Sequence, residues 1–332
     1  MCSRRMRWFF IGGLACLLIL CAGAAALIVS ALGPAASCRN PANGPAQPGL
    51  SARTLVSGGL ERCYLLYVPA SHDPTQPAPL VVSLHGFAGN AKSQEKHTGW
   101  DRIADREGFV VVYPEGTSFP QRWNAADLFS AESVDDVQFF RDMIADVAKA
   151  ASVDPGRVYV NGISNGGAMA HRIACELADI VTAIGTVAAV PTEPPNGCTP
   201  SRPVPMIAFH GTDDPLVNYY GGSFAIPVSR GLSNLSMEPV AYLPVETWIA
   251  GWAERNGCNM LPEPIQGAVG GIRYAGCRDD VEVVLYTVDG GGHTWPGGPP
   301  IPLVGKTSTD IDASETMWVF FQAYLLDRTG GD

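Results

Sequence analysis

Positive charge is scarce in this sequence: 22 Lys and Arg face 32 Asp and Glu, for a formal net charge of −10 over 332 residues. A polyanion such as nucleic acid, or an anionic membrane surface, is a poor electrostatic match for such a chain. Charge of either sign is thin as well, at 16% against 46% hydrophobic residues. That balance excludes a disordered chain and suits one sizeable core. No C-x2-C pair occurs, and no histidine is spaced with the cysteines, so a structural zinc site is not written here. There is no internal repeat, no second-domain boundary and no module that reads as a polymer-binding appendage.

What is present begins with a distinct N-terminus. Arg4, Arg5 and Arg7 precede an apolar run from Trp8 to Leu32, and small residues follow up to Cys38. Positive, then apolar, then small is the order of an export signal, and the run is also long enough to span a bilayer. Residues 1–37 are therefore read as a signal peptide or an anchor, and the protein as secreted or held at the outer face of the cytoplasmic membrane. Membrane contact is expected through this segment alone. Residues 38–57, rich in Pro, Ala, Gly and Asn, read as a linker, and residues 58–332 as one catalytic domain. Six cysteines remain outside the N-terminal segment. In an oxidising compartment they are candidates for disulfides, and proximity favours Cys38–Cys63, Cys175–Cys198 and Cys258–Cys277.

Short apolar runs alternate with helical patterns across that domain. Strands are expected at 64–68, 80–84, 109–113, 158–160, 183–190, 204–209 and 281–288, and helices at 99–107, 135–151, 166–178, 245–256 and 313–326. Continuous apolar strands separated by helices imply an α/β fold, a mostly parallel sheet with helices on both faces. Residues 219–244, with many Gly, Ser and Pro, read as a long loop over the site. Its Tyr219, Tyr220, Phe224 and Tyr242, together with Trp295, would give an aromatic wall, or else the loop aromatics pack beneath the loop.

The motif Gly162-Ile163-Ser164-Asn165-Gly166 follows one expected strand and opens one expected helix. A strand–turn–helix of that kind needs small residues around the serine and holds its hydroxyl exposed, which makes Ser164 the candidate nucleophile. In such sheets the acid and then the histidine follow the serine along the chain. Of His72, His85, His97, His171, His210 and His293, only His293 lies after every plausible acid, in the glycine-rich loop following 281–288. The acid should end the preceding strand, in His210-Gly211-Thr212-Asp213-Asp214, so it is Asp213 or Asp214, with Asp289 as a structural alternative. The backbone N–H of Asn165 and that of Phe87, in the turn His85-Gly86-Phe87, are the candidate oxyanion donors. His85 and Trp295, which flank these groups, are taken as substrate-binding.

With Trp123-Asn124, Val134-Asp135-Asp136-Val137 and Gly290-Gly291-Gly292-His293-Thr294-Trp295-Pro296-Gly297 added, the set resembles the polyhydroxybutyrate depolymerase-like and feruloyl esterase-like α/β-hydrolases from about Glu61 onward. The resemblance implies an α/β-hydrolase fold and places the triad acid on Asp214. It also supports the Cys175–Cys198 and Cys258–Cys277 pairings. It implies a serine carboxylic ester hydrolase working through an acyl-enzyme, without metal or organic cofactor. Expected substrates are short-chain, hydroxycinnamoyl or hydroxyalkanoate esters, with acyl transfer or polyhydroxybutyrate depolymerisation proper as alternatives. One departure is visible: Ala125-Ala126-Asp127-Leu128-Phe129 stand where relatives often carry Gly and Cys after Trp-Asn.

Overall fold

A computed structural model describes residues 38–326 apart from 39, 43, 126–133, 190–196 and 230–234; side chains of 224–240 are also outside the description. In chain order the elements are β1 (Gly49–Ser57), β2 (Leu60–Val68), β3 (Ala78–Leu84), α1 (Ala91–Thr98), α2 (Trp100–Glu107), β4 (Val110–Pro114), α3 (Asp136–Ala151), β5 (Val153–Ile163), α4 (Asn165–Glu176), β6 (Ala183–Val187) and β7 (Met206–Gly211). They continue with β8 (Gly222–Ser229), β9 (Leu235–Tyr242), α5 (Val245–Arg255), β10 (Glu263–Ile265), β11 (Gly270–Tyr274), β12 (Val283–Val288) and α6 (Ala313–Phe321).

One ten-stranded sheet has the order β1-β2-β4-β3-β5-β6-β7-β12-β11-β10. The strands from β4 to β12 in that order run parallel, and the two outer pairs are antiparallel. Consecutive residues of the central strands serve opposite faces, as a pleat with period two requires. Val81, Val111 and Tyr159 join the core under α1, α2 and α6, where Trp100, Phe109 and Phe321 are fully buried. Val82, Val112 and Val160 join the core under α3, α4 and α5, with Phe139, Ile173 and Trp252. Burial on both faces is why these strands read as unbroken apolar runs.

Several expectations need correction. The segment read as a linker contains β1, which pairs residue for residue with β2 from Gly49↔Val68 to Ser57↔Leu60. The segment read as a long loop carries an antiparallel hairpin, β8 with β9. Helix α1, and strands β10 and β11, are additional to the expected elements. The N-terminal segment 1–37 lies outside the described residues, as does most of the departure after Trp123-Asn124. Among the described residues no helix is long and apolar enough to cross a membrane. All three expected disulfides are formed: Cys38–Cys63, Cys175–Cys198 and Cys258–Cys277.

Candidate active site

Ser164 occupies the junction of β5 and α4 with φ 56° and ψ −120°. A non-glycine residue held there stores roughly 1–3 kcal/mol of backbone strain, tolerated only because the surroundings impose it. They impose it through contact. A Cβ on Gly162 would lie 2.5 Å from the Gly166 carbonyl carbon and oxygen, and one on Gly166 would lie 2.4 Å from the His85 oxygen. Both flanking positions therefore exclude a side chain. The turn is fixed from outside as well, since Ser164 N–H donates to Val187 O at 2.9 Å.

His293 follows β12, and its Nδ1 lies 2.8 Å from Asp214 Oδ2. A carboxylate oxygen accepts, so Nδ1 carries the hydrogen and Nε2 is left as the basic nitrogen. Asp214 is buried just beyond β7, and its Oδ1 accepts the N–H groups of Leu216 and Val217, each at 2.8 Å. These bonds fix the carboxylate before the imidazole arrives. His210 backs the same group: its Nε2 is 3.5 Å from Asp214 Oδ2 and donates to Val217 O at 2.8 Å. Burial lowers the His210 pKa, which keeps that ring neutral beside the triad candidate. Asp213 and Asp289 are exposed; Asp213 meets the loop through its own N–H to Gly291 O, and Asp289 accepts from the Thr212 hydroxyl. Of the acids considered, Asp214 is the one brought to His293.

The turn 85–89 packs directly on the nucleophile: a Cβ on Gly86 would sit 3.3 Å from Ser164 Cβ. His85 braces this turn. Its Nδ1–H donates to Gly86 O at 2.8 Å and its Nε2 accepts from Gly116 N–H at 2.9 Å. Burial holds its pKa down at about 4, so the ring stays neutral, as an accepting Nε2 requires. Both ring nitrogens are thereby committed to backbone, while the residue itself also lines the cleft that holds Ser164. Trp123 Nε1 donates to His85 O, and the Asn165 side chain grips Trp123 through both its backbone N–H and C=O. Trp123 in turn leads to Asn124, whose N–H donates to the buried Asp136, itself paired with Arg62 at 2.8 Å. The Trp-Asn and Asp-Asp motifs therefore form the frame behind the turn.

Ser164, His293 and Phe87 open onto one cleft of about 350 Å³. Its walls are mainly apolar, with Trp295, Leu216, Ile301 and Val304. Trp295 is almost fully buried and gives its indole N–H to Ser314 Oγ at 3.0 Å, so it offers the cleft an edge of hydrocarbon. Of the expected aromatics Trp295 lines the cleft, Tyr219 and Tyr242 are buried as the alternative of packing beneath the loop requires, Tyr220 is exposed away from the cleft lining, and the Phe224 side chain lies outside the description. Leu216, Ile301 and Val304 line it with Trp295, and nothing in their sequence context marks them. His97 also lines the cleft, and the polar stripe of α1 carries no apolar periodicity that would place it there.

One trio among the described residues, His171, Cys175 and Cys198, brings potential ligand atoms within 4.8 Å of one another. The two sulfurs are bonded to each other, so neither offers the thiolate a metal would need.

The family described as "Esterase PHB depolymerase" matches residues 62–193, which include Ser164 and the turn after β3. NocK of Nocardia uniformis subsp. tsuyamanensis, named as an esterase, is 34% identical over 283 residues, covering 80% of each chain. Feruloyl esterase B of Piromyces equi is 32% identical over 237 residues, or 70% of this chain and 42% of its own length. Among solved structures, an acetyl xylan esterase from Aspergillus awamori superposes over 82% of this chain and 99% of its own with a TM-score of 0.55 at 15% identity. That last likeness concerns the fold.

Proposed function

Because the chain belongs to the polyhydroxybutyrate depolymerase-like and feruloyl esterase-like family of carboxylic ester hydrolases, we propose that Ser164, His293 and Asp214 form its catalytic triad and cleave esters outside the cytoplasm. His293 Nε2 takes the proton from Ser164 Oγ as that oxygen bonds to the ester carbonyl carbon. The carbonyl π pair moves onto oxygen, and the N–H groups of Phe87 and Asn165 receive the resulting oxyanion. Collapse expels the alcohol, which leaves with the proton from His293. Water then repeats the sequence on the acyl-enzyme, freeing the acid and restoring Ser164. Asp214 holds the imidazole in the tautomer that makes Nε2 basic.

The observation that carries this reading is the 2.8 Å bond from His293 to a buried, doubly anchored Asp214, on the same cleft as a strained Ser164. A fluorophosphonate probe followed by peptide mapping tests it: label is expected on Ser164 and absent in Ser164→Ala. Label on a different serine would sink the assignment.

The compartment and the substrate extend the proposal. The Arg-led apolar segment at 1–37 directs export, and the three disulfides suit an oxidising destination. A small cleft with apolar walls favours a single short or flat acyl group over a long polymer. Short-chain or hydroxycinnamoyl esters are accordingly the proposed substrates, ahead of solid polyhydroxybutyrate.

A further inference from the structure

The apolar cleft has a polar member that the triad does not use. His97, in the last turn of α1, lines the cleft together with Ser164 and His293. Its Nδ1 is 2.6 Å from Ser93 O, one helical turn back. A carbonyl oxygen can only accept, so Nδ1 bears the hydrogen, and in that tautomer Nε2 is a lone-pair acceptor. Among the described residues no hydrogen bond ends on that Nε2.

The neighbouring polar groups of α1 are already engaged. Ser93 Oγ accepts the Asn90 N–H at 3.0 Å and donates to Asn90 O at 2.8 Å, closing the helix cap. Gln94 Nε2 donates to Ser83 Oγ at 3.0 Å. His97 is also held in place by the loop that carries the base. A Cβ on Gly298 would lie 2.4 Å from His97 O, so the two backbones are in direct contact. Ser314 Oγ donates to Thr98 O at 2.6 Å while accepting from Trp295 Nε1. The acceptor is thus pre-placed relative to His293, and its orientation entails little loss of freedom on binding.

An acceptor beside Leu216, Ile301 and Val304 loses its water when a ligand fills the cleft, and a ligand without a donor leaves it unsatisfied. We propose that His97 Nε2 accepts a hydrogen bond from a hydroxyl group borne by the ester away from its carbonyl, so that the enzyme selects hydroxylated esters. This rests on the hydrolase reading above. The hydroxyl has two possible sources, the acyl part or the leaving alcohol, and the chemistry of recognition is the same for both.

Two substrate pairs separate the sources: methyl 4-hydroxycinnamate against methyl cinnamate, and trans-4-hydroxycyclohexyl acetate against cyclohexyl acetate. The wild type should favour the hydroxylated member of one pair by roughly 5- to 30-fold in kcat/KM, the range expected for one hydrogen bond plus the relief of an unsatisfied acceptor. His97→Ala should bring that ratio to about 1, with the loss falling on the hydroxylated ester. His97→Gln, whose amide oxygen accepts, should restore part of it, and it carries the test if the alanine variant fails to fold. A wild type that favours neither hydroxylated ester, or a ratio that survives in His97→Ala, overturns the proposal. No turnover of p-nitrophenyl acetate together with no fluorophosphonate label on Ser164 would instead remove the hydrolase reading, and this proposal with it.

Discussion

Replacing Gly166 by alanine sets two familiar effects against each other. Gly166 is the second residue of α4, where alanine is the better helix former by about 1 kcal/mol. The added methyl, however, would lie 2.4 Å from His85 O and 2.5 Å from Leu84 O, both backbone atoms at the end of β3. An ordinary contact begins near 3.4 Å, so the helix start and the turn must separate by about 1 Å, the difference between 3.4 and 2.4 Å. Overpacking of this kind costs about 1–3 kcal/mol. The net stability loss is then roughly 0–2 kcal/mol, a fall of a few degrees at most in melting temperature for a chain of this size. Activity should suffer far more. The movement opens the gap between Ser164 and the turn that carries Phe87, and a misplacement of about 1 Å costs on the order of 10² in rate. The assay compares kcat/KM on p-nitrophenyl acetate and the rate of fluorophosphonate labelling with the melting temperature. Gly251→Ala in α5 is the control, since among the described residues a Cβ there meets only Arg255 Nη1, at 3.8 Å. It should gain about 0.5–1 kcal/mol and leave the rate unchanged. Labelling of Gly166→Ala within about twofold of wild type would refute the reasoning, as would an equal drop in melting temperature for both variants.

Asp214→Asn should lower kcat by about 10⁴, the magnitude seen when the acid of a serine triad is amidated, because the wrong imidazole tautomer results; Asp213→Asn, on an exposed side chain, should stay close to wild type. If steady-state kinetics showed the reverse, the acid would be one residue earlier. His171 is buried between Trp248 and Trp252 with neither ring nitrogen hydrogen-bonded among the described residues, and burial lowers its pKa from 6.5 to about 3. The folded state therefore disfavours the proton that the unfolded chain takes up, and stability falls as pH drops from about 6.5 toward 3, by up to about 1.4 kcal/mol per pH unit. His171→Phe should reduce the dependence of urea-unfolding stability on pH across 6.5 to 4, leaving the contributions of His85 and His210, which burial also lowers; an unchanged slope would contradict the burial argument.

The central strands are legible in the sequence because burial on both faces writes a run such as Leu80-Val81-Val82 without a polar interruption. The elements that escape reading lack that imprint. Strand β1 is mostly partly exposed at the sheet edge and mixes Ser, Arg and Thr with its apolar residues, and β11 opens with two glycines. Helix α1 buries Ala91, Gln94 and Thr98, a stripe that looks polar although it is interior. At the site, Ser164 and His293 follow from chain order and from the glycines that crowd them. The choice between two adjacent aspartates does not follow from order alone, since it depends on which carboxylate the turn after β7 points inward. The bracing role of His85 was equally hidden, because its partners are backbone groups of Gly86 and Gly116, which any residue type supplies.

The loop after β12 returns to meet itself: His293 N–H donates to Val304 O at 2.7 Å, and Gly292 N–H to Lys306 O at 2.8 Å. On the proposed triad, reactivity and substrate range are therefore inherited as one cassette. A lineage, or an engineer, that lengthens the outward arc between Pro299 and Leu303 can reshape the mouth of the enzyme while the base keeps its seat. On the proposed triad, any change that tilts the peptide at Val304 displaces His293 along with the wall, so new specificities reached by that route should arrive with an altered kcat.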